Sequence, residues 1–213
     1  QTAGFSIVSY TGNGGNTAAT VGHGLNATPK FIVIKSRDST TGWEVFHGTQ
    51  PGKLLYLHTT DTAQTSSAFG TPNSSTITVA DTWINATGVD YIAYCFAPVE
   101  GYSAFGSYEG NGSNDGVFVH TGFSVRWLLT KASSHGSDWQ LWDSARQSYN
   151  VNANTLTPNS SGAETGSAGY AVDLLSNGFK FRNYGSSSNQ SGYTYVWAAF
   201  AENPFQANGG LAR

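Results

Sequence analysis

The chain has one cysteine, no methionine and little charge. Each shortage excludes something. Cys95 alone cannot form an intrachain disulfide or a cysteine-based zinc site. It sits inside Tyr91-Ile-Ala-Tyr-Cys-Phe-Ala97 and reads as a buried strand thiol. Charged residues make up 11% of the 213, against about 25% in an average globular domain. Ten Lys and Arg against 13 Asp and Glu give a net charge of −3. That leaves no basic footprint for nucleic acid and no polybasic anchor for a membrane surface. Apolar runs such as Phe31 to Ile34 and Tyr91 to Val99 fall far short of the roughly 20 residues of a membrane span, so no membrane insertion is expected. No signal peptide is legible, and a chain that starts at Gln1 without methionine reads as a trimmed piece of a longer product.

Small neutral residues take the place of charge. Ser, Thr and Asn abound, with 26 Gly, and aromatics reach 14%. This composition belongs to strands joined by turns, with enough apolar material for a core. Phe5 to Tyr10, Lys30 to Lys35, Gly42 to His47, Lys53 to His58, Thr76 to Val79 and Val89 to Ala97 read as strands. No window shows convincing 3.6-residue periodicity. Short strands at about ten-residue spacing, with Gly/Asn turns between them, point to an all-β fold, an antiparallel β-sandwich. The run Phe31-Ile-Val-Ile34 has the unbroken apolar pattern of a strand buried on both faces.

The chain also repeats itself. Gly4-Phe-Ser-Ile-Val-Ser-Tyr-Thr-Gly-Asn-Gly14 recurs as Gly101-Tyr-Ser-Ala-Phe-Gly-Ser-Tyr-Glu-Gly-Asn-Gly112. Phe31 to Lys35 falls on Trp127 to Lys131, Gly42 to His47 on Asp138 to Asp143, and Gly88 to Ala97 on Gly192 to Ala201. The order is kept throughout. We therefore expect two internally repeated halves, 1–98 and 99–213, joined near Pro98-Val99-Glu100. They would be either tandem sandwiches or one pseudo-twofold unit. Trp43, Val45, Tyr91, Trp127, Trp139, Leu141 and Trp197 are among the expected core residues.

Catalytic signals are weak. There is no G-x-S-x-G elbow, no H-E-x-x-H and no Asp-rich calcium loop. The five histidines read as structural. Glu44, Glu100, Glu109, Asp90, Asp115, Asp138 and Asp143 offer carboxylates, but their spacing selects no pair. The oxygen-rich segment Asn111 to Gly116 reads as a turn rather than a Ca²⁺ loop. No enzyme activity, metal or cofactor is expected. Aromatics beside small amides are more informative, because a flat ring can meet a sugar face while neutral donors and acceptors meet hydroxyls. Tyr149, Tyr170, Tyr184, Tyr193 and Trp83 lie in or beside such polar stretches and are the candidate ligand-binding residues.

Several motifs stand out together: Tyr10-Thr-Gly-Asn-Gly14, Gly22-His-Gly-Leu25 followed by Pro29, Tyr94-Cys-Phe-Ala97, Asp143-Ser-Ala-Arg146, Asp173-Leu-Leu-Ser-Asn-Gly-Phe-Lys180, and Ala199-Phe-Ala-Glu202 with Pro204-Phe205. In combination they resemble a duplicated module found near the C-terminal end of tail-fibre and other appendage proteins of tailed phages, especially marine ones. The resemblance implies a sandwich similar to concanavalin-like or laminin-G-like folds, placed on a virion surface. Expected partners are a host cell-surface glycan and other virion proteins, with the chain as a homotrimer. A purely structural virion component is the alternative. No binding residue is carried over from the family.

Overall fold

The computed structural model describes residues 4–14 and 18–203. Gly15 of the first turn and Pro204-Phe205 lie outside the described residues. The fold is all-β, with antiparallel pairing throughout. Among the described residues the helices are single turns: α1 (Thr82–Asn85) and a 3-10 turn at Ala168–Tyr170. None is long and apolar enough to cross a membrane. Chain contacts divide the molecule into two compact units, Gln1–Pro98 and Val99–Arg213.

The first unit contains β1 (Phe5–Thr11), β2 (Ala19–Gly22), β3 (Phe31–Ser36), β4 (Trp43–His47), β5 (Lys53–Tyr56), β6 (Gln64–Thr65), β7 (Thr76–Val79) and β8 (Asp90–Phe96). A six-stranded sheet runs β1-β8-β3-β4-β5-β6, and β2 pairs with β7 in a separate ribbon. Alternation along each strand sends every second side chain to one face. Ile32 and Ile34 of β3, Phe46 of β4, Leu54 of β5, and Tyr91, Ala93 and Cys95 of β8 thus meet Ile77 and Val79 of β7 and Ile84 of α1 in one core. All four residues from Phe31 to Ile34 are buried, as their unbroken apolar run required. Burial also pushes the Cys95 thiol up to about 12, so it stays protonated and packs as a small hydrophobe.

The second unit contains β9 (Ser103–Glu109), β10 (Phe118–His120), β11 (Val125–Ala132), β12 (Gln140–Asp143), β13 (Asn154–Thr155), β14 (Thr165–Gly166), β15 (Val172–Leu175), β16 (Gly178–Phe181) and β17 (Thr194–Ala201). A four-stranded sheet, β12-β11-β17-β9, packs against a three-stranded one, β10-β16-β15. Leu128, Trp142, Tyr195, Trp197 and Ala199 from the first sheet face Val119, Val172, Phe179 and Phe181 from the second.

Each unit ties the turn after its first strand to the segment before its last strand by the same part-buried polar arrangement. In the first, Asn85 Nδ2 donates to Asn13 Oδ1 at 3.0 Å while Asn13 N–H donates to Asn85 Oδ1 at 3.1 Å. In the second, Asn189 Nδ2 donates to Asn111 Oδ1 at 2.9 Å and Asn111 N–H to Asn189 Oδ1 at 3.2 Å. A stacked tyrosine pair flanks each clasp, Tyr10 on Tyr91 at 5.2 Å and Tyr108 on Tyr195 at 5.0 Å. Tyr10 Oη donates to the Ile84 carbonyl and Tyr108 Oη to the Ser188 carbonyl, both at 2.6 Å. Glycine is required beside each clasp. A Cβ on Gly12 would sit 2.1 Å from the Ala86 carbonyl oxygen, and one on Gly110 would sit 2.2 Å from that of Gln190. The recurring Thr/Glu-Gly-Asn-Gly motif thus has a contact-level reason. Tyr195 Oη closes the second clasp by donating to the Ser186 carbonyl at 2.7 Å and accepting from Gln190 N–H at 3.0 Å. Replacing Tyr195 with Phe leaves that amide and that carbonyl without their partner. The expected loss is about 1–2 kcal/mol in urea unfolding, and an unchanged midpoint would show that water replaces the hydroxyl.

Candidate functional site

Strand β4 carries an acid in a core-facing row. Phe46 enters the first unit's core, and Glu44, two residues earlier on the same face, is paired with Ile34 of β3 and Tyr56 of β5. Glu44 is only 2% exposed. Its Oε2 is sealed from solvent and has no hydrogen-bond partner. A buried, unpartnered carboxylate is costly, so the group holds its proton instead. Burial, and secondarily the negative charge of Asp81, push the Glu44 carboxyl up to about 7.

Beside Glu44 lies an open cavity of about 260 Å³, lined by Gly42, Glu44, Tyr56, His58, Thr59, Asp61 and Trp83. Trp83 is placed by α1. Ile84 is fully buried and anchors the turn, while Asp81 caps it by accepting from Trp83 N–H at 2.7 Å. The indole, at 55% exposure, is left at the cavity rim. His58 is fixed from the opposite side. Its Nδ1 accepts from Trp43 N–H at 3.0 Å, which assigns the proton to Nε2. Its ring meets Tyr56 edge-on at 5.9 Å. Gly42 makes room for that ring, since a Cβ there would come within 1.9 Å of His58 Cε1. Asp61 Oδ2 accepts from Thr59 Oγ1 at 2.9 Å, which holds the loop after β5. Burial first, then the charges of Glu44, Asp81 and Asp61, raise the Tyr56 phenol. Among the described residues no Lys or Arg lines the cavity. Acids, an imidazole N–H, a phenol and an indole thus surround one small space.

Of the five aromatics expected to bind ligand, Trp83 alone lies in this cavity. The four tyrosines belong to the second unit. Tyr149 is 83% exposed and Tyr184 65%. Tyr170 is half-buried against the core, and its carbonyl accepts from Trp142 Nε1 at 2.9 Å. Tyr193 is also half-buried and stacks on His135 at 4.5 Å. Among the described residues no ring contact joins any two of the five. Several candidate carboxylates serve other groups: Asp143 pairs with Arg146 at 2.7 Å, Asp115 with Lys180 at 2.9 Å, and Asp138 accepts from Asn159. The Asn111 to Gly116 segment is held by its own turn bonds and the Asn189 clasp. Sequence reasoning named Glu44 without selecting it, and it missed Tyr56, His58 and Asp61. The available signal was a lone acid inside an otherwise apolar alternation, Trp43-Glu-Val-Phe46.

The corresponding strand row of the second unit is built differently. Gln140 stands beside Thr130 on β11, as Glu44 stands beside Ile34 on β3. It is fully buried, and its Oε1 accepts from Thr155 Oγ1 at 2.9 Å. A neutral amide, its oxygen bonded to a hydroxyl and its Nε2 buried without a partner, stands where the first unit has an acid.

The family model described as "Domain of unknown function (DUF7483)" matches residues 1–204, and the chain belongs to that family. No curated protein and no solved structure matches it.

Proposed function

We propose that this DUF7483 chain is a non-catalytic glycan-binding module, carried on a virion surface as a host-adhesion part. The observation that carries this reading is the exposed Trp83 indole at the rim of a cavity walled by hydroxyl, imidazole and carboxyl groups. A sugar ring needs an apolar face beside convergent hydrogen-bonding groups, and this site offers both. The virion placement rests on the motif resemblance. Low charge makes long-range steering weak, so recognition depends on short-range contacts. Single sites of this kind bind weakly, and a homotrimer displayed in several copies would raise avidity by about 10²–10⁴. Tyr149 and Tyr184, the most exposed of the tyrosines, offer further stacking surface.

The test is a glycan array probed with wild type, Trp83→Ala and a Tyr149→Ala, Tyr184→Ala double variant. Wild type is expected to bind a surface glycan of a susceptible host, and loss of the indole should weaken binding by about tenfold or more, the scale of one lost stacking contact. Wild type that binds no glycan, or Trp83→Ala that binds equally well, would overturn the assignment. A structural virion role is the second reading. It is favoured by Phe5 and Ile7, both exposed on the edge strand β1, where an apolar row suits contact with another subunit.

A further inference from the structure

We infer that strand β1 pairs antiparallel with β1 of a second copy of this chain, joining two six-stranded sheets across a twofold axis. The inference goes beyond glycan binding and rests on the edge of the first unit alone. It gives the subunit contact suggested by Phe5 and Ile7 a partner and a geometry. β1 ends its sheet, and among the described residues no strand meets its outer edge. Its inner edge pairs with β8 in one unbroken register, from Phe5 on Phe96 to Thr11 on Asp90. Ala97 N–H donates to the Gly4 carbonyl at 2.7 Å and Gly12 N–H to the Val89 carbonyl at 2.8 Å. The even-numbered residues between Gly4 and Gly12 therefore turn their backbone groups toward β8, and the odd-numbered ones turn theirs away. The N–H and C=O groups of Phe5, Ile7, Ser9 and Thr11 point out from the edge, and these are the four residues of β1 whose side chains are exposed.

Long open edges are ordinarily blunted by a charge, a proline, a glycine or a bulge. β1 has none of these: Phe-Ser-Ile-Val-Ser-Tyr-Thr is uncharged, and its register carries no shift. The repeat supplies the contrast. The corresponding edge strand of the second unit, β9, has Gly106 and the exposed Glu109 where β1 has Val8 and Thr11. A second copy is the occupant that the β1 edge fits, because the strand complements itself. One register sets Phe5 against Thr11 of the partner subunit and Ile7 against Ser9 of the partner subunit. Every outward group is then paired, with two bonds for each of four residue pairs, about eight in all. A typical interface has about ten, give or take five. The same register sets the two Val8 side chains opposite each other, and Val8 already packs against the core. On the other face the two Ile7 side chains, each 56% exposed in the single chain, meet diagonally. No charge is buried, since the nearest carboxylate, Asp90, lies on β8 and accepts from Thr11 Oγ1 at 2.6 Å. One strand pair is smaller than a standard interface of about 1,600 Å², so the contact is weak and reversible.

The experiment is analytical ultracentrifugation of the purified chain from about 1 to 300 μM, with hydrogen exchange of the β1 amides at both ends of that range. Wild type, Ser9→Pro, Ile7→Lys and Ser107→Pro are compared. The Ser9 N–H points outward, so proline there removes a donor from the open edge and leaves the β1–β8 bonds in place. Ile7→Lys keeps the backbone and sets two ammonium groups side by side in the pair, so it carries the test if Ser9→Pro fails to fold. Ser107→Pro makes the same change on the outer edge of β9 and is the control. Circular dichroism checks the fold of each. Wild type and Ser107→Pro are expected to double in mass with a dissociation constant on the order of 10–100 μM, whether the unit that pairs is one chain or a trimer. The Ile7, Ser9 and Thr11 amides of wild type should gain protection as concentration rises. Ser9→Pro and Ile7→Lys should each weaken the association at least about tenfold. A wild-type mass that stays constant across the range, or an association that both β1 variants leave unchanged, would overturn the pairing. So would outward amides that exchange slowly at every concentration, because another part of the chain would then cover the edge. Trp83→Ala should associate like wild type, so failure here is separate from failure of the glycan site.

Discussion

Trp142→Ala is expected to lower the stability of the second unit by about 3–5 kcal/mol, the cost of removing a large ring from a packed core. Trp142 has no solvent exposure. Its ring meets Phe181 edge-on at 6.0 Å, and it packs in one cluster with Val172, Phe179 and Trp197. These neighbours sit on two different sheets, so neither can close the gap alone. The indole Nε1 donates to the Tyr170 carbonyl at 2.9 Å, and truncation strands that oxygen as well. Urea unfolding followed by far-ultraviolet circular dichroism measures the loss. A change below about 1 kcal/mol would mean that the site collapses freely or that the ring is not core. Trp43→Ala is the contrast. The sequence pattern assigns Trp43 to the core, but the ring is 37% exposed and stacks on Tyr94 at a 6.5 Å separation. Its removal is expected to cost about 1 kcal/mol, the scale of one aromatic pair.

That contrast shows where the sequence is legible and where it is not. The strands at Phe31 to Ser36, Thr76 to Val79 and Asp90 to Phe96 follow from apolar runs and alternation. The Gly-Asn-Gly turns follow from their recurrence, and the Asn clasps give that recurrence a physical basis. In Trp43-Glu-Val-Phe-His47, however, Val45 and Phe46 are both buried, so alternation alone does not say which phase faces the core. Taking Trp43 as the inward residue leaves Glu44 outward. The structure places Glu44 in line with Phe46, and Trp43 at the strand end, half in solvent. Trp127 and Leu141, also expected in the core, are only partly buried, whereas Trp139 and Trp197 are buried. The cavity itself joins residues from β4, β5, the following loop and α1. Only tertiary folding brings Trp83 to Glu44, and no local spacing encodes it. The tyrosines illustrate the reverse error: a polar neighbourhood predicts exposure, which holds for Tyr149 and Tyr184, while Tyr170 and Tyr193 lean on the core or on His135.

The ligand-free protein should itself report the Glu44 environment through pH. The carboxyl is pushed from its ordinary 4.5 to about 7 by burial, with Asp81 adding to the effect. Between these values the folded state holds a proton that the unfolded chain releases. Folding is therefore favoured by acid across that window, and stability falls as pH rises from about 4.5 to about 7, then levels off. At about 1.4 kcal/mol per pH unit the shift corresponds to at most about 3–4 kcal/mol, and relaxation around the charged form brings the expectation to roughly 2 kcal/mol. The lowered carboxyls of Asp115 and Asp143, held down by Lys180 and Arg146, act in the opposite sense and below this window. Urea unfolding of the free protein at half-unit steps from pH 5 to pH 8 should show wild type losing stability while Glu44→Gln stays nearly level. The two curves should diverge by roughly 2 kcal/mol at pH 8 relative to pH 5. Parallel curves would show that Glu44 ionises as an ordinary exposed acid, and the sealed, unpartnered carboxyl at the cavity would then have no energetic consequence.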